Sequence, residues 1–183
     1  MHELEVVKIR LVKGTSLYSD KELNSPEAVM ELIAGEMALY DREVLCILNL
    51  KTDGTPINLN IVSVGTVNQA MVIPGDVFKS SILSNADHII AVHNHPSGKI
   101  LPSRSDLYIT QRLRLGGELM GIPLSDHIII GGGSGQMFSF REHGILQADP
   151  KEMEQFFRSM KKEACRERWT GGERNGVYPA RNG

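Results

Sequence analysis

The chain has 183 residues, 41% hydrophobic and 23% charged, which suits a single soluble domain with one buried core. Residues 151–183 contain eight Lys or Arg and five Asp or Glu, a net charge of +3, which leaves −5 for residues 1–150. Binding to nucleic acid needs clustered positive charge, so the acidic first part of the chain argues against a nucleic-acid surface. Two cysteines exclude a disulfide framework, and the lack of a long apolar stretch excludes a secretory signal or a membrane span, so we expect a cytoplasmic protein.

The first part of the chain predicts a strand, a helix and a β-hairpin. Residues 3–12 alternate imperfectly between apolar and polar and predict an edge strand. A helix is expected from Ser25, which is followed by a proline and an acid, with apolar residues at helical spacing as far as Tyr40. Residues 43–50 are almost continuously apolar and predict a central strand. The Asp-Gly turn after it leads into a strand at 57–64, which we expect to continue past a bend at Gly65 toward residue 72.

The second part alternates helices with buried strands. A short helix opens at Pro74 with Val77, Phe78, Ile82 and Leu83 on its buried face, and a strand follows at 89–92. A helix is expected from Ser103 to Met120, with Leu107, Thr110, Leu113, Gly117 and Met120 on one side. Beyond it come strands at 128–131 and 136–140, an amphipathic helix at 151–169 and a disordered tail. The interleaved order with internal hairpins predicts an α/β (α+β) fold, in which a mixed, curved sheet is sandwiched between helices.

Four polar residues around the strand at 89–92 have the spacing of a metal site. His93 and His95 end that strand two residues apart, so both imidazoles leave the same face. Ser103 fits a helix N-cap, and Asp106 falls in the first turn of the helix. Two imidazole nitrogens and one carboxylate oxygen suit zinc and leave one position open for water, although the ligand types also admit iron or manganese.

The pattern His93-x-His95, seven residues, Ser103, two residues, Asp106 resembles the metal-binding signature of the JAB/MPN (JAMM) metalloproteases. The strings HNHPSG, PSRSD, ITQRL and LSDHIIIG resemble the RadC-like branch of that family, over roughly residues 25–146. The resemblance implies a cytidine-deaminase-like JAB/MPN domain at 25–148, between an N-terminal strand and linker at 1–24 and a C-terminal helix and tail at 149–183. HNH nucleases spread their motif over a longer segment, so the adjacent residues here argue against that class.

The resemblance also implies an activity and the residues that perform it. We expect one Zn²⁺ per chain, held by His93, His95 and Asp106, and hydrolysis of a peptide or isopeptide bond by metal-activated water. The family places a catalytic glutamate on an early strand, which points to Glu43 as the base. An acidic side chain at the start of a buried strand costs folding free energy through its burial, and a catalytic role would account for its presence.

Several assignments stay open at this point. Glu36 and Asp41 compete with Glu43 for the role of base. Ser103 caps the helix and, in the family, also donates a hydrogen bond to the developing oxyanion. Asp126 and His127 match a Leu-Asp-His segment of the family, and we interpret His127 as supporting a ligand rather than binding the metal.

A second functional hypothesis comes from the name of the RadC-like branch, which suggests an accessory protein of DNA repair or recombination that keeps the metal site for structure. RadC-like proteins often carry a helix-hairpin-helix region before this domain, and the amino end here is too short to hold one. We therefore expect the usual DNA-binding element to be absent. The mixed run KKEACRER near the carboxyl end is typical of a solvated helix face.

Overall fold

The structure is a computed structural model that describes residues 10–65 and 72–152, together with residues 154, 155, 158 and 159. The chain divides into two compact units, residues 1–147 and 148–183. The three-part division expected from the sequence stays a prediction. In the second unit the described residues begin a helix at Pro150, where Asp149 and Glu152 accept each other's backbone N–H at 2.9 and 2.8 Å. The strand predicted at 3–9 and the disordered tail lie outside the described residues, and residues 10–12 form no strand.

The first unit is built on one five-stranded sheet of order β2-β1-β3-β4-β5. Only β3 and β4 are parallel; the other neighbours run antiparallel, so the sheet is mixed as predicted. The parallel pair is joined by helix α3, which crosses over one face of the sheet. The elements are α1 Pro26–Met37, β1 Val44–Leu50, β2 Pro56–Val64, α2 Pro74–Leu83, β3 His88–His95, α3 Arg104–Met120, β4 Leu124–Gly131 and β5 Met137–Ser139.

Alternation along the strands gives the sheet two different faces. One face packs against α1 in a core of aliphatic side chains. The opposite face, toward α2 and α3, carries His93 and His95 of β3 and His127 of β4. Helices on both faces confirm the predicted sandwich, and every residue of β1 is buried as expected for a central strand. The α1-side core contains Val29, Ile33, Met37, Cys46, Leu48, Leu50, Ile90, Val92, Ile128 and Ile130.

Several boundaries differ from the sequence-based expectations. β4 begins at Leu124 rather than residue 128, because its first polar residues have buried partners within the fold. β2 ends at Val64, and Gly65 turns the chain with φ of +125°, so the described part of the expected extension is not strand. Within the described residues, none of the helices combines the length and the hydrophobicity needed to cross a membrane.

Two predicted core positions were wrong. Ile82 is 55% exposed, because α2 turns Ser80 and Ser81 toward the sheet instead. Ser80 there receives a hydrogen bond from the buried Asn49 side chain at 3.2 Å. Met120 is 38% exposed, because it is the last residue of α3 before Gly121 ends the helix in the left-handed conformation.

Candidate metal centre

The crossover through α3 brings the predicted ligands together. His93 and His95 lie at the carboxyl end of β3, and α3 starts after a short loop and runs back toward the start of β4. Its first turn therefore lies beside the end of β3. Asp106, the third residue of α3, is held there by Ser103, which caps the helix.

Three side chains converge at this point. The Nε2 atoms of His93 and His95 are 2.9 Å apart. Asp106 places Oδ1 3.4 Å from the first and Oδ2 3.5 Å from the second. Their ligand atoms all lie within 4.8 Å of one another, and no other such group of three occurs in the part of the chain that the structure describes. The cluster could hold a metal ion, which is the arrangement predicted from the sequence.

The backbone around His95 fixes the proton of its ring. Its Nδ1 lies 2.7 Å from the carbonyl oxygen of Lys99, which can only accept, so Nδ1 carries the hydrogen. In the neutral ring Nε2 is then a bare lone pair, and it points at His93 and Asp106. A nitrogen in this state is a metal ligand, and the carbonyl is the kind of outer partner that orients such a histidine.

A second chain of contacts leads away from His93 into the protein. Its Nδ1 is 2.8 Å from Nε2 of His127, and Nδ1 of His127 is 2.6 Å from the Thr110 hydroxyl. That hydroxyl donates to the backbone carbonyl of Asp106 at 2.6 Å. The His127 ring stacks on Phe140, with centroids 4.8 Å apart. As expected, His127 contacts a candidate ligand and is not part of the converging group.

The charges of the site are strongly coupled. Burial acts to raise the pKa of Asp106, but hydrogen bonds to His93 and His95 outweigh it and hold that pKa far below its usual range. Burial acts to lower the pKa of His95, yet Asp106, the Lys99 carbonyl and the charge of Glu43 together raise it. Burial lowers the pKa of His127 well below its usual value, so this ring is neutral at pH 7.

Glu43 is the acid that the sheet brings toward the histidines. The register of β1 and β3 pairs Leu45 with His93, so Glu43, two residues earlier, comes opposite His95 on the same face. It is half-buried, and its backbone carbonyl accepts the N–H of Gly65 at 2.8 Å. Its position agrees with its electrostatic effect on His95.

The two competing acids are placed differently. Glu36 lies on α1, against the other face of the sheet, and its carboxylate accepts the hydroxyl of Tyr40 at 3.3 Å. Asp41 is exposed and pairs with Arg42 at 2.8 Å. Geometry therefore favours Glu43 among the three, while its role as the base stays a prediction.

Ser103 is tied to Asp106 in both directions. Its hydroxyl oxygen accepts the N–H of Asp106 at 3.2 Å, and its own N–H donates to Asp106 Oδ2 at 2.6 Å. This capping box confirms the predicted helix start. Since the hydroxyl acts as an acceptor here, its hydrogen is not used by the cap. A role as oxyanion donor stays a prediction.

The glycine-rich turn between β4 and β5 supports the loop that carries His95. Gly132 donates its N–H to the carbonyl of His95 at 2.8 Å. A Cβ on Gly132 would lie 3.0 Å from Cα of Pro96, and one on Gly131 would lie 2.6 Å from the carbonyl of Gly98. The sequence predicted only a hairpin loop at this place. The close approach shows why side chains are missing on the two glycines.

Thr110 is a further residue of the site, although its position on α3 predicted only a core-facing side chain. The spacing between Thr110 and Asp106 in the sequence could have indicated this role. Thr110 is four residues after Asp106 and therefore lies on the same side of the helix.

Comparison with known proteins agrees with this geometry. Residues 23–145 match the model of the RadC-like JAB domain. A UPF0758 protein of Desulfitobacterium hafniense is 40% identical over 124 residues, covering 68% of this chain and 54% of that protein. UPF0758 proteins of Finegoldia magna and Thermotoga maritima are 44% and 42% identical over 59% and 61% of this chain, and 48% and 49% of their own length. The chain thus spans about half the length of these relatives. Since the family model covers most of the chain, including all three converging ligands, the chain belongs to the RadC-like JAB domain family.

Proposed function

We propose that the chain is a zinc-dependent hydrolase that cleaves an amide bond, either a peptide or an isopeptide. One observation carries the proposal: two imidazole Nε2 atoms and a buried carboxylate converge, with a glutamate on the same face of the sheet. The JAB domain family includes hydrolases, which agrees with this chemistry.

The residues present fit a zinc ion. His93 and His95 supply nitrogen, and Asp106 supplies the negative charge that a divalent cation needs. With three protein ligands, one position is left for a reactant. A bound divalent ion would polarise a carbonyl oxygen and lower the pKa of a bound water toward neutrality.

Glu43 is the proton carrier in this proposal. Its carboxylate takes a proton from the attacking water and later delivers it to the nitrogen of the leaving amine. An amide needs this second transfer because an unprotonated amine is a poor leaving group. The half-buried position next to the histidine face keeps Glu43 near the reacting atoms and partly out of bulk water.

Ser103 supplies a hydrogen-bond donor. Its hydroxyl is fixed by the N-cap geometry, one turn from the carboxylate of Asp106, and it keeps its hydrogen for the developing oxyanion. The loop before it, including the basic Lys99 and the 45% exposed Leu101, lies between the metal strand and the helix. We propose that these side chains contact the substrate.

The test compares Glu43→Gln with Glu36→Gln in the full chain loaded with zinc. The substrates are a panel of peptidyl aminocoumarin amides and lysine isopeptides. Glu43→Gln should keep the metal and lose turnover by about a hundredfold or more, since an amide cannot accept the proton. Glu36→Gln, on the opposite face of the sheet, should match the wild type.

Chelation should abolish the wild-type turnover, and added zinc should restore it. Loss of zinc from Glu43→Gln would make this residue a ligand instead of the base. If no member of the panel is cleaved and the chain instead binds duplex DNA in a salt-dependent way, the hydrolase proposal is wrong.

A further inference from the structure

Two buried residues outside the ligand group, Thr110 and His127, complete a closed cycle of contacts with it. The cycle runs from His93 through His127 and Thr110 to the backbone of Asp106, and the carboxylate of Asp106 contacts His93 again. Thr110 is fully buried and His127 is 1% exposed. Strands β3 and β4 and helix α3 each contribute residues to this cycle of contacts.

The hydrogen atoms in this cycle of contacts can be assigned from the atoms that can only accept. The Thr110 hydroxyl has one hydrogen, and it must lie toward the Asp106 carbonyl, because two oxygens 2.6 Å apart repel unless a hydrogen lies between them. The Thr110 oxygen can therefore only accept from Nδ1 of His127, 2.6 Å away. This contact places the His127 hydrogen on Nδ1.

The assignment continues into the metal site. A neutral His127 with its hydrogen on Nδ1 offers a lone pair at Nε2, 2.8 Å from Nδ1 of His93. Neutrality follows from the burial of the ring and from its stacking on Phe140, which leaves no water to solvate a charge. His93 must then carry its hydrogen on Nδ1, so that its Nε2 can only accept or bind a cation. In the metal-free protein the hydrogen between Nε2 of His93 and Nε2 of His95, 2.9 Å apart, therefore belongs to His95.

We propose that Thr110 and His127 form a positioning relay, which holds the His93 ring in the single tautomer that can bind a metal through Nε2. The inference rests on the proposed metal site. Without the Thr110 oxygen, His127 is free to carry its hydrogen on Nε2 and to donate it to His93. The hydrogen of His93 then belongs on Nε2, where it blocks the metal.

In this relay a neutral imidazole occupies a place where a carboxylate is common. Ligand histidines often donate to carboxylates, which make the ring more basic. Here His93 donates to a neutral ring and His95 donates to a backbone carbonyl. Asp106 is then the only anionic member of the ligand group.

The test uses two readouts on the full chain. In the metal-free protein with ¹⁵N-labelled histidine, NMR distinguishes an Nδ1–H ring from an Nε2–H ring at His127. In the same samples, competition with a chromophoric chelator gives the zinc affinity. The variants are Thr110→Val, which removes the hydroxyl, and Thr110→Ser, which keeps it. Ser81→Ala is a control at another fully buried hydroxyl, on α2.

We expect an Nδ1–H ring at His127 in the wild type and in Thr110→Ser, with equal zinc affinity within about threefold. Thr110→Val should shift His127 toward Nε2–H and weaken zinc binding by about ten- to a hundredfold, the usual range for partners of ligand histidines. Ser81→Ala should change neither readout.

An Nε2–H ring at His127 in the wild type would overturn the relay even if the Thr110→Val protein failed to fold. Unchanged zinc affinity in a folded Thr110→Val protein would overturn it as well. In both cases the metal site would stand. A wild-type chain that binds no zinc contradicts the site itself and the relay with it.

Discussion

Two buried carboxylates of the first unit, Asp106 and Asp126, differ in how they are satisfied. They are 2% and 1% exposed, and they lie on opposite sides of the sheet. Burial raises the pKa of Asp126, and its hydrogen bonds only partly offset this effect. The pKa of Asp106 instead lies far below the usual range, because its two imidazole neighbours outweigh burial.

The partners explain the difference. Asp126 accepts from the Ser139 hydroxyl at 2.6 Å and from the N–H groups of His127 and Arg141 at 2.7 and 3.0 Å, so both of its oxygens are occupied by donors. Asp106 has one short N–H partner, Ser103, and otherwise faces imidazole nitrogens. A carboxylate whose oxygens are both occupied by fixed donors holds a turn in place, whereas one that converges with two imidazole nitrogens could hold a metal ion. Burial alone does not separate the two cases.

The largest expected effect comes from replacing each carboxylate by an amide. Asp106→Asn should weaken zinc binding by more than about a hundredfold, because losing a ligand costs more than losing an outer partner. Asp126→Asn should bind zinc as the wild type does, since the Ser139 hydroxyl can reverse and accept from the new amide. Chelator competition measures both affinities. Equal losses in the two variants would show that Asp106 contributes no more to zinc binding than Asp126 does.

The next effect separates the two uses of Ser103, the partner of Asp106. Ser103→Asp keeps a good helix cap but cannot donate when ionised, so thermal stability should stay near normal while turnover falls about a hundredfold. Ser103→Ala should lose the cap as well and cost about 1 kcal/mol of stability. Normal turnover in the Asp variant, measured with the amide panel, would reduce Ser103 to a cap.

A smaller effect is expected in the turn behind His95. Gly132→Ala introduces a Cβ 3.0 Å from Cα of Pro96 and 3.2 Å from the carbonyl of His95, so the metal loop must shift. Zinc affinity should fall about tenfold, the lower end of the range for partners of metal ligands. The control is Gly133→Ala, which has open space but φ of +68°.

The control should cost about 1 kcal/mol of unfolding free energy through backbone strain and leave zinc affinity unchanged. Calorimetry and chelator competition on both variants give the comparison. The interpretation fails if Gly133→Ala loses as much zinc affinity as Gly132→Ala.

The smallest effect is the pH dependence of stability in the metal-free protein. The lowered pKa of Asp106 adds stability that is present above about pH 4, the unfolded value, and is lost as the pH falls further. The raised pKa of Asp126 has the opposite effect on stability. The contribution of Asp126 to stability is lost as the pH rises above about 4. Urea unfolding from pH 3 to 6 should show a shallower acid loss in Asp106→Asn and a steeper rise with pH in Asp126→Asn.

Much of the ligand set followed from local rules. A strand sends alternate residues to one face, which is enough to place His93 and His95 together. The spacing of Ser103 and Asp106 is that of a capping box, so both fall at a helix start whatever surrounds them. The continuous apolar run of β1 likewise predicted a central strand, which the structure has.

The remaining assignments depended on which helix covers which face of the sheet. Glu36 and Glu43 are seven residues apart, and the sequence does not tell which of them shares the histidine face. That is decided because α1 packs against Cys46 and α3 packs against His127, on opposite sides. The choice of Ser81 over Ile82 as a buried residue of α2 has the same origin.

The sequence by itself therefore determined the ligand types, their spacing and the strand and helix that carry them, because these follow from the periodicity and capping of single elements. Only the tertiary structure decided the contacts among Thr110, His127 and His93, and the packing of Gly132 on the His95 loop. Each joins residues from separate elements through distances below about 3.5 Å, the reach of a hydrogen bond or a tight packing contact. Such distances depend on how α3 and the β4–β5 turn pack on the sheet, which no local pattern specifies.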